Sequence, residues 1–289
     1  MSASATTPIR HVSDTALWVA IYRAMESERP DAIFRDPFAR RLAGARGEEI
    51  VRTMRRGRSW AWPMIVRTAL MDEIVMRCVR EGAGAVLNLA AGLDTRPYRL
   101  DLPASLPWFH VDLPDMLAYV REQMAGEQPR CRLEYVSVDL TQPDGRRELF
   151  ARAAAAAQGK PVLAMSEGLL IYLAPGQVTD LGRALHDEPS IRWWLIDLAS
   201  PGLLKMMEKN WGKGVAAGAP FRFAPPDGTA FFEGAGWKEA EYRSMWDESL
   251  RLKRSMPMAW LWNLIGRLYP KKKRREFRRF SGVVVLGRA

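Results

Sequence analysis

The sequence predicts an α/β protein built on a mostly parallel sheet with helices on both faces, and three observations predict it. From residue 86 onward, short apolar runs rich in β-formers alternate with stretches of helical periodicity. Successive runs end in an acidic turn rather than in a hairpin signal. At 289 residues the chain is long enough to bury a large core and longer than one minimal α/β unit, which leaves room for a cap.

The elements follow in order. Helices are expected at 15–26, 37–42 and 64–80, with Asp14 as candidate N-cap of the first. The third carries Ile65, Ala69, Met71, Ile74, Val75 and Cys78 around one apolar stripe. Strands at 86–91, 108–112, 133–139, 162–166 and 191–198 then alternate with helices at 114–124, 145–157 and 175–186. The alanines 153–157 read as helix filler, ended by Gly159 and Pro161. After Ser200 the composition changes: Gly212, Gly214, Gly218, Pro220, Pro225, Pro226 and Gly228 predict a mobile cover. An alternating run at 236–243 and an apolar run at 281–286 read as two closing strands. The layout expected is one domain, with a helical cap over 1–80, a core over 81–199, the cover over 200–235, and closing strands over 236–289 that enclose a helical and basic insertion.

The run from Val86 to Leu100 carries the strongest chemical signal. An apolar strand enters the small turn Ala90, Ala91, Gly92, where a ligand can lie against the backbone at the carboxyl end of a strand. Asp94 stands in that turn and the GxGxxG spacing is absent, so a pyrophosphate would meet a carboxylate there. S-adenosylmethionine has no phosphate and carries a sulfonium and an ammonium, so an acidic loop suits it. Asp112 ends the next strand 20 residues after Gly92, about the offset at which an acid takes a ribose diol. Asp139 ends the third strand, placed for an adenine amino group with Leu140 beside the ring, and Glu167 follows the fourth. A single acid after a strand reads as a helix cap or a solvated turn; four at successive strand ends point to one ligand.

Six ordered motifs extend the pattern: TALWVAIYRAMESERPDAIFRDPFARRLAG at 15–44, VRTALMD at 66–72, LNLAAGLDTRPYRL at 87–100, FHVDLP at 109–114, VSVDL at 136–140 and SEGLLIYL at 166–173. In these the chain resembles the leucine carboxyl methyltransferase family and its bacterial polyketide-type O-methyltransferase relatives, over nearly its whole length. The resemblance implies a class I methyltransferase fold, Rossmann-like and seven-stranded, whose sheet is finished by the two closing strands as an antiparallel pair. It implies S-adenosyl-L-methionine as cofactor, with Arg67 on the methionine carboxylate, Gly92 against the cofactor, Asp112 on the ribose, Asp139 and Leu140 at the adenine, and Glu167 lining the site. One departure stands out: Ala90 occupies the first small position of the loop, where the family has glycine, leaving less room near the methionine moiety.

Net charge is +10 and is concentrated. Between Arg267 and Phe280, eight cations stand against Glu276 alone, a local +7 that leaves +3 for the rest. Such a run could attract RNA, an anionic membrane or an acidic partner. With aromatics interleaved only as Phe277 and Phe280, the favoured reading is a solvated helix face. No stretch approaches the ~20 apolar residues of a membrane span, and the first residues lack an apolar signal core, so a cytoplasmic protein is expected. Cys78 and Cys131 have no CxxC context and the histidines are only His11, His110 and His186, so no metal site is expected and the cysteines read as reduced core residues. Most of the eleven tryptophans are expected in the core.

A sulfonium methyl is already activated, so the task is to hold a nucleophile in line and exclude water. A carboxylic acid with a pKa of about 4 needs no base at neutral pH, whereas a phenol near 10 does. No histidine is well placed: His11 is near the amino terminus, His186 is at a helix end, and His110 reads as a satisfied core residue. The lack favours a carboxylate acceptor on a small or medium metabolite. Tyr172 or Glu167 could still serve a hydroxyl or phenolic substrate of secondary metabolism. Arg23 and Tyr172 are the candidates for acceptor contact, Arg23 weighed against a surface ion pair with Glu26 or Glu28. Two other classes stay open: an RNA-modifying enzyme that uses the basic run, and a nicotinamide oxidoreductase, which Asp94 and the missing GxGxxG disfavour.

Overall fold

The structure, a computed structural model, describes residues 12–53, 60–215, 220–266 and 268–289. His11, Gly218 and Arg267 lie outside them. Three helices come first: α1 (Val12–Ser27), α2 (Ala39–Thr53) and α3 (Ala61–Arg80). Then follow β1 (Ala85–Leu89), the one-turn α4 (Arg96–Arg99), β2 (Pro107–Asp112), α5 (Pro114–Gln123), β3 (Arg132–Ser137), α6 (Pro143–Ala156), β4 (Val162–Ser166), α7 (Pro175–Asp187), β5 (Ile191–Ala199) and α8 (Pro201–Val215). The chain closes with β6 (Trp237–Ser244), α9 (Met245–Arg251), α10 (Ala259–Gly266), α11 (Lys271–Arg278) and β7 (Ser281–Arg288).

The seven strands form one sheet in the order β3-β2-β1-β4-β5-β7-β6. All neighbours are parallel except β7, which runs antiparallel between β5 and β6. This is the class I methyltransferase arrangement. The chain reverses direction of winding at β1, so the loops after β1 and β4 face each other across the switch point where α/β sheets hold ligands.

Local chemistry explains the elements. β1 and β4 are buried at every position and are apolar except for Asn88 and Ser166, as parallel strands covered on both faces are. Each of the helices α5, α6, α7 and α8 opens on a proline, whose fixed φ suits the first turn and whose missing N–H costs nothing there. Two of the sheet's three fully buried tryptophans place their polar atoms as burial demands, Trp194 Nε1 donating to Ser166 Oγ at 3.0 Å and Trp237 Nε1 to the Gly182 carbonyl at 2.8 Å, whereas Trp108 Nε1 finds no partner among the described residues. Cys78 and Cys131 are buried free thiols, both pushed up to about 12 by burial.

Several expectations are corrected. β1 stops at Leu89, because Ala90 adopts φ +51° and turns the chain. β3 stops at Ser137, so Asp139 stands two residues beyond the strand. Asp14 lies inside the first turn of α1, paired with Arg46 at 3.2 Å, and is not an N-cap. α2 runs on from 42 to Thr53 across a kink at Gly44, whose φ of +57° a side chain would resist. The stretch after Ser200 is less broken than expected: α8 continues through Gly212 and Gly214 to Val215. Glycine costs a helix only about 1 kcal/mol per residue, less than an apolar face regains by packing. Among the described residues Trp18, Trp108, Trp194 and Trp237 are buried and Trp62 and Trp193 pack against the core, while Trp260 and Trp262 are exposed.

Candidate active site

A cavity of about 460 Å³ opens at the carboxyl ends of β1 to β5. It is large enough for a nucleoside-sized ligand. All ten residues singled out from the sequence line it. Ala90, Gly92 and Asp94 come from the loop after β1, Asp112 from the end of β2, Asp139 and Leu140 from beyond β3, and Glu167 and Tyr172 from the turn after β4. Arg23 enters from α1 and Arg67 from α3. The outer wall is apolar, with Leu203 and Met207 of α8 and Phe221 of the following segment.

The loop after β1 is held by its own backbone. The Ala91 amide donates to the Val111 carbonyl at 2.9 Å and the Asp94 amide to the Ala91 carbonyl at 3.0 Å. Gly92 takes φ +51°, the left-handed region. The Asp112 carboxylate ties β2 to this loop: Oδ2 accepts the Gly92 amide at 2.7 Å and Oδ1 accepts the Leu113 amide at 2.8 Å. A carboxylate has about four lone-pair sites, so two remain for a ligand. Asp139 is exposed and accepts from the Thr141 amide and hydroxyl at 2.9 and 2.7 Å, which hold its carboxyl below the usual range.

Beneath the cavity runs a chain of charges. Arg67 Nε lies 3.0 Å from Glu167 and its Nη1 donates to Asp197 at 2.9 Å. Arg96, only 2% exposed, donates to Asp72 at 2.7 Å, to Asp94 at 2.7 Å and to Glu167 at 2.8 Å. Arg99 clamps Asp72 through two bonds of 2.6 and 2.7 Å. Arg23 Nε donates to Asp36 at 2.8 Å and its Nη2 to the Leu93 carbonyl at 2.6 Å. Arg23 is thus buried and paired with Asp36. Glu26 instead binds Arg254 and Glu28 binds Arg40, which corrects the surface ion pair considered for it.

Asp94 and Glu167 stay ionised. Burial raises the Asp94 pKa, yet the Arg96 guanidinium and the Arg96 amide outweigh it and hold the carboxyl at about 2. Burial likewise opposes the Glu167 charge, and Arg96 and Arg67 together still bring it below the ordinary glutamate value. Four arginines face five acids in this chain, a local charge of −1 before Asp112 and Asp139 are added.

None of the groups able to act as a base is set up to do so. Burial pushes the Tyr172 hydroxyl up, and it hydrogen-bonds the Thr15 side chain. Burial pushes the His110 pKa down, and its ring, with Nε2 3.1 Å from the Gly92 carbonyl, is not among the residues that line the cavity. His110 is buried as expected but not fully satisfied, since its Nδ1 has no hydrogen-bond partner among the described residues; His186 packs against Trp237, away from the cavity.

Sequence reasoning missed Asp36, Asp72, Arg96, Arg99 and Asp197. Asp197 followed the rule applied to the other strands, an acid near a strand's carboxyl end; its carboxylate also accepts the Gly168 amide at 2.7 Å. Arg96 and Arg99 stand three apart, the spacing that brings two side chains to one face of a turn of helix.

Fold and site together define a methyltransferase of the class I type. The model of the leucine carboxyl methyltransferase family matches residues 16–186. A protein of Streptomyces coelicolor, provisionally named an S-adenosyl-L-methionine-dependent methyltransferase, is 32% identical over 240 residues, 78% of this chain and 82% of its own. One of Frankia alni with the same provisional name is 30% identical over 237 residues, again 78% and 82%. Among solved structures, a DUF574 family protein from Streptomyces avermitilis superposes with a TM-score of 0.60 at 13% identity, covering 98% of this chain and 99% of that one. A provisionally assigned methyltransferase from Thermobifida fusca gives 0.52 at 13% identity, covering 97% and 96%; these two bear on the fold alone. The chain belongs to the leucine carboxyl methyltransferase family and is an S-adenosylmethionine-dependent methyltransferase.

The residues present fit that cofactor. A sulfonium and an ammonium meet a net-acidic cavity floor, and Asp112 keeps free lone pairs at the loop. No cluster of histidine, cysteine and acids able to hold a metal occurs among the described residues.

Proposed function

We propose that this enzyme is an O-methyltransferase that methylates the carboxylate of a small or medium metabolite. The observation that carries the reading is the absence of a poised base among the described cavity residues: Glu167 is held below the ordinary glutamate value between two arginines, Tyr172 is pushed up, and His110 lies outside the cavity lining. An acceptor that arrives ionised needs none.

In this reading Asp112 accepts from the ribose hydroxyls, Asp139 from the adenine amino group, and Leu140 packs on the ring. Ala90, Gly92 and Asp94 line the methionine moiety, Asp94 contributing its field while its oxygens stay on Asn88 and Arg96. Glu167 holds Arg67 and Arg96 in place. Arg67 reaches the methionine carboxylate, and Arg23 and Tyr172 face the acceptor. The cofactor supplies a methyl group already activated by its sulfonium; the side chains bind, orient and exclude water.

Arg67→Lys is expected to weaken S-adenosylmethionine binding about tenfold, since a planar fork becomes a point charge. Calorimetry on the folded variant measures it. Native enzyme that bound the cofactor and its decarboxylated analogue equally well would exclude the carboxylate contact.

For a carboxylate acceptor, acid and sulfonium are both fully formed above about pH 6, so the single-turnover rate should be nearly flat from about pH 6 to 9. A rate that climbs tenfold per pH unit below neutrality would overturn the base-free reading and favour a hydroxyl acceptor. The acceptor itself is found by offering carboxylic acids and phenols with methyl-labelled cofactor. A base-labile product marks an ester; a base-stable one marks an ether and refutes the proposal.

A further inference from the structure

Outside the cavity, the most unusual surface lies between β6 and β7. α10 reads AWLWNLIG, with Asn263 its one polar side chain, yet it leaves its large residues in water: Trp260 is 68% exposed, Trp262 56% and Leu264 54%. Leu268, 86% exposed, and Tyr269 continue the apolar surface toward α11. Monomeric proteins rarely leave so many large apolar side chains exposed together unless something covers them.

The cations begin where the apolar residues end. α11 buries no residue and reads KKKRREFR. It is fastened to the body by Phe277, edge-on to Trp246 at 5.2 Å, and by Arg278, 3.3 Å from Asp247. Lys273 Nζ sits 5.9 Å from the Tyr269 ring, which joins the two surfaces. Lys271, Arg274 and Arg275 line a groove of about 660 Å³ whose acids are already engaged: Glu239 by Arg279, Glu241 by Arg77, Glu248 by Arg243 and Arg251. The five cations Lys271 to Arg275 make no ion pair with any described residue.

We infer that α10 and α11 form a docking surface for an anionic lipid bilayer, with Trp260, Trp262, Leu264 and Leu268 entering the headgroup region while Lys271 to Arg275 meet the lipid phosphates. The two halves match the two sources of interfacial binding, apolar burial and attraction to negative headgroups. Tryptophan and tyrosine beside lysine are the side chains that settle at such an interface. A second copy of this chain would oppose five cations with five across a two-fold axis. RNA would use rings as stacking platforms and has no use for exposed Leu264 and Leu268. The surface is close in sequence to the catalytic cavity, since Ser281 and Gly282 of its wall follow the end of α11 after two intervening residues. The inference does not depend on the acceptor's chemistry.

The test is co-sedimentation of the full chain with vesicles of phosphatidylcholine alone and with about one third phosphatidylglycerol. Binding to the anionic vesicles should be at least about tenfold tighter and should weaken as salt rises. The pairs W260S/W262S and K272E/K273E should each weaken it by about tenfold or more while S-adenosylmethionine affinity, measured in parallel, stays unchanged. Equal binding to both vesicle types, or none, overturns the proposal. So does loss in K272E/K273E alone, which would reduce the surface to unspecific charge attraction. Tighter binding to a single-stranded RNA than to vesicles, or a homodimer that W260S/W262S dissolves, replaces the bilayer with another occupant.

Discussion

Replacing Arg96 with Met should lower the free energy of unfolding by about 3–5 kcal/mol, the effect of removing one partner from a buried charge cluster. Arg96 alone joins Asp72, Asp94 and Glu167, and it is 2% exposed. Met fills a similar space but leaves three carboxylates converging. Arg99 still holds Asp72 and Arg67 still holds Glu167, so the uncompensated charge falls mainly on Asp94. Urea unfolding of native and variant protein measures the loss. The pH dependence has a definite sign. Asp94 is held at about 2 in the folded protein, below its unfolded value near 4, so its contribution is complete above about pH 4 and disappears as pH falls toward 2. With Arg96 gone that pKa rises, and the acid-unfolding limb should move to higher pH. An unchanged urea midpoint and acid limb would show that the cluster does not hold this fold.

Asp112→Ala should weaken S-adenosylmethionine binding by one to two orders of magnitude, from a charge-assisted bond worth about 1.5–3 kcal/mol. Two effects combine in it, because Asp112 both faces the cavity and accepts the Gly92 and Leu113 amides. Asp112→Asn separates them: its one carbonyl oxygen can keep one amide bond but removes the charge, so its affinity should fall between native and Ala. Calorimetry on the folded variants gives the order. Unchanged affinity in Asp112→Ala would exclude Asp112 from the cofactor.

The sheet and the acids at its edge were legible because they are local. An apolar run that ends in Ala90, Ala91 and Gly92 states both a strand and its turn, and the next strands repeat the pattern at Asp112, Asp139 and Glu167. The charge cluster was not legible because its pairs are remote: Arg96 and Asp72 are 24 residues apart and Arg67 and Asp197 are 130 apart. No spacing rule reaches that far; only the parallel winding brings α3, β4 and β5 together. The expected strand at 191–198 took in Asp197 as an interior position, which hid it among its apolar neighbours. α8 was misread for a different reason: glycines mark a break only when nothing else fixes the chain, and here the helix packs its apolar face over the cavity. α10 was silent because a helix apolar on nearly every side does not say which side is out.

The place of β7 also governs the order in which this chain can be completed. β7 lies between β5 and β6 and is the one strand that pairs with β6 among the described residues. Until residues 281–288 leave the ribosome, Trp193 to Ile196 present an open strand edge and β6 has nothing to pair with. The nucleotide loops after β1 and β2 belong to neighbouring strands made early, so they can assemble long before that edge is covered. Synthesis therefore leaves an interval in which the five parallel strands can be formed and the β5 edge is exposed to other chains, and the insertion of β7 ends it.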